Sequence, residues 1–294
     1  MTATHENFDE LPLVCVGLPV FNSEKTISNA IETIINQTFE NWELIISDNN
    51  SSDKTSSIIK EFVKIDHRIK FFQQEKNIGL GLNRYYVLKK ARSKYFCWHA
   101  GDDRRSVDFL EENVIFLEKN LDYVASTSRK YFESHQSKQN PSNVSFGLDE
   151  VEVENRFISF FKNPWQSHSL YYSIMRTDTI KECTDLNENF LAQDWIIDLF
   201  LALNGKIALQ KESYIELGTS GVSSTNPFKP FRNHAIEVLF PFFTFHKRLK
   251  KLINNFPFKF KLLITYEVYL LHIKLIQMRL IGYIKEKIRI LNTF

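Results

Sequence analysis

A chain of 294 residues, 43% hydrophobic and 24% charged, is long enough to bury a full core and has the balance of a globular protein, not a disordered one. No uncharged apolar run approaches the roughly 18 residues of a membrane span. The formal net charge is only +2, yet residues 229–294 hold 13 Lys/Arg against 3 Asp/Glu, which leaves 24 against 32 in residues 1–228. That asymmetry points to a tail that meets something anionic. Cys15, Cys97 and Cys183 have no close spacing, which reads as reduced thiols of a cytosolic protein and excludes a disulfide frame or a zinc site. The opening MTATHENFDELP has neither a basic start nor an apolar core, so no signal peptide is expected.

In chain order, LVCVGLPV is a short apolar run ended at Pro19 and predicts a buried strand. Ile27, Ala30, Ile31, Ile34 and Ile35 then share one helical face. WELIISD predicts a second buried strand ending on Asp48, and DKTSSIIKEFVKI a helix that Asp53 would cap. IKFFQQ, GLNRYYVLKKA and KYFCWHA continue as strand, helix, strand. SVDFLEENVIFLEKN follows as a helix with Ser106 as a possible cap, and DYVAST as a strand. This alternation calls for parallel strands covered by helices, with ligands bound beyond the carboxyl ends of the strands.

Past Lys130 the pattern becomes polar and turn-rich and predicts a long loop. ENRFISFFKNP then reads as a helix, SLYYSIMRTD as a strand and DWIIDLFLALNGK as a helix closed by Gly205; GTSGVSSTNP reads as a loop, mobile over a ligand or a passive connector. Thr265, His272, Arg279 and Glu286 recur every seven residues as a polar stripe on a long C-terminal helix. The broad apolar arc beside the stripe must be buried against the domain, a partner chain or a membrane surface. The expected division is a domain over 1–228 and a basic, apolar helical extension over 229–294.

Three strand ends carry the acids. Asp48 stands at the end of WELIISD, and Asp102 and Asp103 follow KYFCWHA. Two adjacent carboxylates repel. A helix start accounts for one of them, whereas a hard divalent cation with a diphosphate accounts for both. Arg104 and Arg105 read as solvent-facing residues, with a diphosphate contact as the alternative, and His99 as a core histidine. Trp165 reads either as an aromatic platform for a ligand or as a plain core tryptophan.

Three stretches, PVFNSEKTISNAIETIINQTFENWELIISDNNSSDKT, NIGLGLNRYYVLKKARSKYFCWHAGDD and AQDWIIDLFLALNGKI, resemble glycosyltransferase family 2 over about residues 12–220. The resemblance implies the GT-A fold: an α/β domain with a mostly parallel central sheet flanked by helices, here with a C-terminal helical extension. It implies an inverting, hexosyltransferase-type enzyme that moves a sugar from a nucleotide-diphosphate donor, usually a UDP-sugar. The acceptor would be a hydroxyl of a saccharide or a lipid-linked acceptor, in surface polysaccharide synthesis.

By the same resemblance, Pro19, Phe21, Asn22, Asp48, Asn77, Gly79, Asn83, Arg84 and Asp102 would bind the donor, with Asp48 on the base and Asp102 near the ribose. Asp103 would hold Mn2+ or Mg2+, Asp194 would be the catalytic base with Asp198 the next candidate, and Trp165 and His168 would meet the acceptor. The chain departs from the family pattern at Asn49, Asn50 and Gln193, where a second acid, a glycine and often Glu stand. Those departures leave room for a catalytically inactive nucleotide-sugar-binding or scaffolding protein. A nucleotidyltransferase is disfavoured by the lack of a glycine-rich phosphate loop, and a Rossmann dehydrogenase by the lack of Gly-x-Gly-x-x-Gly. The implied location is cytoplasmic, peripheral on the inner face of the plasma membrane if the extension docks there. The extension could equally form a homodimer, and no nucleic-acid partner is expected.

Overall fold

The structure is a computed structural model that describes residues 11–132, 144–219 and 234–291, with side chains through residue 281. Its first part follows the predicted alternation: β1 (Val14–Val20), α1 (Ile27–Ile35), β2 (Trp42–Asp48), α2 (Thr55–Ile65), β3 (Ile69–Gln73), α3 (Leu80–Lys90) and β4 (Tyr95–Trp98). β1 pairs parallel with β2 on one side and β4 on the other, and β2 pairs parallel with β3. Every residue of β2 and β4 is buried, as strands covered on both faces require.

The second part mixes directions. β5 (Arg104–Arg105), α4 (Phe109–Lys119) and β6 (Tyr123–Phe132) are followed by α5 (Val153–Lys162), α6 (His168–Tyr171), β7 (Ile174–Arg176), α7 (Thr177–Lys181), α8 (Gln193–Asn204) and β8 (Lys206–Leu217). The sheet order is β3-β2-β1-β4-β7-β6-β8-β5. β7 runs antiparallel to both β4 and β6, β5 antiparallel to β8, and β6 parallel to β8. Four of the seven pairings are thus parallel, so "mostly parallel" holds for the first half more than for the second. The order reverses at β1, between β2 and β4, and the crevice outside those carboxyl ends is where such sheets bind ligands.

Local departures from the predicted elements have physical reasons. SLYYSIMRTD splits into one helical turn, a three-residue strand and the start of α7, because the segment turns inward to bring β7 against β4. The arginine pair forms strand β5 and not a helix start. Ser106 does not cap α4; its Oγ accepts a hydrogen bond from the Tyr214 N–H at 2.9 Å. Asp53 acts as expected, one residue early, accepting from the Thr55 N–H at 3.0 Å. Gly205 closes α8 with φ of 173°, an extended backbone open to any residue. Its need for glycine is space, since a Cβ there would lie 2.4 Å from a Val124 methyl.

The C-terminal extension adds α9 (Phe243–Leu252) and α10 (Phe258–Leu291). Among the described residues no helix is long and apolar enough to cross a membrane. The extension shares one hydrophobic core with the domain. Phe242 stacks on Trp195 of α8 with ring centres 5.6 Å apart, Phe245 meets the same ring edge-on, and Phe260 of α10 meets Phe157 of α5. One side of α10, including Phe260, Ile264, Val268 and Leu275, faces this core. Of the heptad stripe, His272 is buried and accepts a hydrogen bond from the Phe242 N–H at 3.3 Å, and Arg279 donates to the Val238 carbonyl at 3.4 Å; the Glu286 side chain lies outside the described ones.

If domain and extension fold as one unit, Phe245→Ala will cost about 3–5 kcal/mol. Urea unfolding followed by tryptophan fluorescence and by circular dichroism should then give one transition at a lowered midpoint. Two separated transitions would show the extension folding apart.

Candidate active site

A cleft of about 890 Å³ opens at the switch point of the sheet. Its walls come from the loop after β1 (Pro19, Phe21, Asn22), the loop after β2 (Asn49, Asp53), the start of α3 (Asn77, Asn83, Arg84), the end of β4 through Asp103, and the far wall of Phe132, His168, Tyr171, Tyr172, Asn189 and Gly218. Of the donor residues expected from sequence, Pro19, Phe21, Asn22, Asn77, Asn83, Arg84 and Asp102 lie on this wall with Asp103, and so does His168. Asp48, Gly79, Trp165 and Asp194 do not.

Asp48 is fully buried at the end of β2. One oxygen accepts from the Ser51 N–H and hydroxyl and the other from the Ser56 hydroxyl, so its carboxylate organises the following turn. In that turn Asn50 takes φ of 63°, in the left-handed region. Asparagine tolerates this better than other non-glycine residues, which explains how it occupies the position where the resemblance expects glycine. Asn49 reaches across: its Nδ2 donates to Asn77 Oδ1 at 2.9 Å and its Oδ1 accepts from the Ile78 N–H at 2.8 Å. Asn83 is buried and bonded both ways with Ser47, locking α3 to β2. Asn22, also left-handed at φ of 50°, accepts from the Ser52 N–H at 2.9 Å and holds the same turn from the β1 side.

The paired aspartates differ in environment. Asp103 is 3% exposed, and its Oδ1 accepts from the Gly218 N–H at 3.0 Å. Among the described residues its Oδ2 has no donor at hydrogen-bond distance; the nearby Tyr172 hydroxyl offsets part of its charge. Burial, with Asp102 adding repulsion, raises its pKa to about 7. Two carboxylates at the mouth of a strand, one with a buried oxygen lacking a donor, suit a hard divalent cation such as Mn2+ or Mg2+, with ligand and water oxygens completing the shell. Among the described residues no third His, Cys, Asp or Glu joins a metal-binding group.

Arg105 supplies the fixed compensation. Fully buried beneath the pair, it donates from Nε to His99 Nδ1 at 3.2 Å and from its two terminal nitrogens to the Tyr172 and Trp98 carbonyls. Its guanidinium lies 4.1 Å from the centre of the Phe109 ring. His99 Nδ1 must therefore be the acceptor, which leaves Nε2 to donate to the Ala30 carbonyl at 3.1 Å. Burial pushes the His99 pKa down to about 3, so the ring is neutral. Arg104, by contrast, lies part-exposed and pairs with Glu216 across the β5–β8 ladder at 3.6 Å.

Asp194 begins α8 after Ala192, whose φ of 64° is a strained conformation for a residue with a Cβ. Asp194 is half-buried and within electrostatic reach of two wall residues, Arg84 and Tyr171. Burial raises its pKa and Arg84 partly offsets this. Arg84 is oriented by the Gln193 side-chain oxygen and by the Tyr171 hydroxyl at 3.4 Å, and Tyr171 stacks on Trp98 at 4.9 Å. Asp198, one turn on, is fully buried, and burial together with Asp194 pushes its pKa well up, so it stays protonated. Trp165 is not a platform in the cleft. It packs edge-on against Trp195 at 5.1 Å and against Phe242, in the joint between domain and extension. His168 sits against Phe132 on the wall, its pKa lowered by burial to about 4.

The sequence reading missed Tyr171, Tyr172, Asn189 and Gly218. The tyrosines were hidden in a segment that reads as a plain strand. Gly218 opens the predicted loop GTSGVSS, whose residues from 220 onward lie outside the described ones. A Cβ at Gly218 would fall 2.4 Å from the Asp102 carbonyl, so β8 delivers its N–H to Asp103 only with glycine there.

The model of the family described as Glycosyl transferase family 2 matches residues 15–191. The chain is 36% identical to EpsE of Bacillus subtilis over 124 residues, 42% of this chain and 45% of EpsE, so it spans under half of that relative's length. It is 28% identical over 183 residues to the Escherichia coli UDP-Glc:alpha-D-GlcNAc-diphosphoundecaprenol beta-1,3-glucosyltransferase WfgD, covering 57% of this chain and 72% of WfgD. The crystal structure of S. aureus TarS in complex with UDP-GlcNAc superposes with a TM-score of 0.63 at 18% identity, covering 82% of this chain and 66% of that one. The shared fold is GT-A.

If Arg105 is the fixed countercharge, Arg105→Leu will destabilise the protein by about 3–5 kcal/mol, since it strands buried acceptors and the Asp103 charge. Adding Asp103→Asn should recover part of that loss in a denaturant titration. Additive losses from the two changes would mean the groups are not coupled.

Proposed function

Because the chain belongs to glycosyl transferase family 2, we propose that it transfers a sugar, with inversion, from a nucleoside-diphosphate donor, in the first place a UDP-sugar, to a hydroxyl of a saccharide or lipid-linked acceptor in cell-surface polysaccharide synthesis. The observation that carries this reading is the pair Asp102 and Asp103 on the wall of a cleft at the sheet's switch point, Asp103 with one buried oxygen that has no donor among the described residues. The donor and acceptor named for WfgD and the nucleotide sugar held by TarS support the substrate class.

In this reading Asp102 and Asp103 hold Mn2+ or Mg2+, which when bound neutralises the charge that builds on the departing diphosphate. The chain's own residues do the rest. The nucleotide lies along the wall of Pro19, Phe21 and Asn22. Its base meets the Asn49–Asn77 pair and Asp53, while Asp48, both oxygens already engaged, holds the turn beneath. Arg84 and Tyr171 face the sugar end, and His168 with Asn189 the acceptor side. Asp194 takes the proton from the attacking hydroxyl; burial raises its pKa, which suits a base, and Arg84 partly offsets the rise. Gln193, where a carboxylate would have neutralised Arg84, leaves that guanidinium's charge available to Asp194 and to the substrate.

Calorimetry with UDP should show binding that requires Mn2+ in the native protein and is lost in Asp103→Ala. If neither UDP nor GDP, TDP or CDP binds with metal present, the reading fails. Asp194→Asn should keep nucleotide affinity and lower turnover by about 10²–10⁴-fold. With Asp194 as base, native turnover falls as pH drops through its raised pKa, so the acid limb of the pH profile lies above the ordinary carboxylate range. A profile with its acid limb at an ordinary carboxylate value would point to another base.

A further inference from the structure

α10 is apolar on two opposite sides. The inner side is in the core, as described. On the outer side Leu262, Tyr266, Tyr269, Ile273, Ile276 and Leu280 follow one another at intervals of three or four residues, and each is 40% or more exposed. This row turns directly away from the buried row Phe260, Ile264, Val268 and Leu275. Beside it lies a second exposed apolar segment just before α9, with Ile236, Val238, Leu239 and Phe240. It is fixed to α10 by the Phe240–His272 ring contact at 5.7 Å and the Arg279–Val238 hydrogen bond. A patch spread over two elements is wider than the seam two helices share, and far larger than the scattered apolar residues of an ordinary surface.

Charge identifies what covers it. Between 258 and 281 stand Lys259, Lys261, Lys274 and Arg279 against one acid, Glu267, and Lys259 and Lys274, both exposed, lie on the side of the helix between the outer and inner rows. A second copy would bring the same basic helix against this one. The remainder of the chain, with 32 acids against 24 bases in residues 1–228, would be repelled by an anionic plane and so turned away from it. We propose that the outer face of α10, with residues 236–240, lies in the interface of an anionic lipid bilayer, the row of large side chains in the headgroup–acyl boundary and the lysines on acidic headgroups. α10 then lies in the plane of the membrane and does not span it. This inference stands on the extension alone and does not depend on the donor site.

The test is flotation of the full chain with vesicles of phosphatidylcholine, with and without phosphatidylglycerol, in the absence of nucleotide. The native protein should float with the anionic vesicles and stay behind with the neutral ones. Ile273→Glu/Ile276→Glu and Lys259→Glu/Lys274→Glu should each weaken partition by about tenfold or more, and high salt should weaken it too. All four positions are exposed, so far-ultraviolet circular dichroism and thermal midpoint should be unchanged; these report on folding even if the donor reading fails. No partition of the native chain, or equal partition into both vesicle types, overturns the proposal. So does a dimer in dilute solution that Ile273→Glu/Ile276→Glu converts to monomers, because a second copy then covers the face.

Discussion

Two carboxylates placed side by side at the end of a buried strand set the problem that the rest of this molecule is arranged around. Part of the answer is permanent. Arg105, sealed under the pair, is held by carbonyls and by a histidine kept neutral by its own burial. The other part is missing: one buried Asp103 oxygen has no donor among the described residues, and Asp103 lines the cleft. A site compensated wholly from within would be inert, and one with no compensation would cost several kcal/mol of stability. Half-compensation is the arrangement expected of the cation site proposed above, in which the missing charge would come from outside the chain.

The same economy of connections links distant stretches of chain. The N–H that fixes Asp103 comes from Gly218, more than a hundred residues away, at the end of β8. The base candidate Asp194 is next to Trp195, whose ring is wedged among Trp165, Phe242 and Phe245. The start of α8 is therefore braced by the C-terminal extension. A change in the aromatic joint would reach Asp194 through one rigid turn of helix, without touching the cleft.

Much of this was legible in the sequence, and the limits are instructive. β1, β2 and β4 could be read because strands buried on both faces are unbroken apolar runs, β3, at the sheet edge, from its short apolar stretch, and α1 from its one-sided periodicity. The strand-end aspartates could be picked out because a carboxylate is out of place at the end of a buried apolar strand, though what each one does was not legible: Asp48 proved to hold the turn after β2. β8 could not, because KIALQKESYIEL alternates buried and exposed positions irregularly around the register shift in its pairing with β6. The burial of Arg105 was illegible for a related reason: its partners include Tyr172, 67 residues on. Lys130 is similar, a buried cation that donates to the carbonyls of Val144 and Gln166, with no carboxylate partner among the described residues. Sequence spacing shows what a residue can offer, and long-range topology decides whether the offer is taken up. Trp165 shows the converse, an aromatic ring that composition alone could assign to a sugar and that the fold assigns to the core.

The two-sided character of α10 also fixes a distance. At ~1.5 Å per residue its 34 residues make a rod about 50 Å long. Its inner side is packed into the core that carries Trp195, so it cannot roll or slide relative to the cleft. Whatever plane its outer side rests on, the reaction centre stands at one height above that plane and at one tilt. On the proposed function reach would then become a criterion of choice: an acceptor anchored in that plane would present its hydroxyl to Asp194 only if the spacer between anchor and sugar matched the stand-off. Chain length could thus be discriminated by a part of the protein that never touches the sugar.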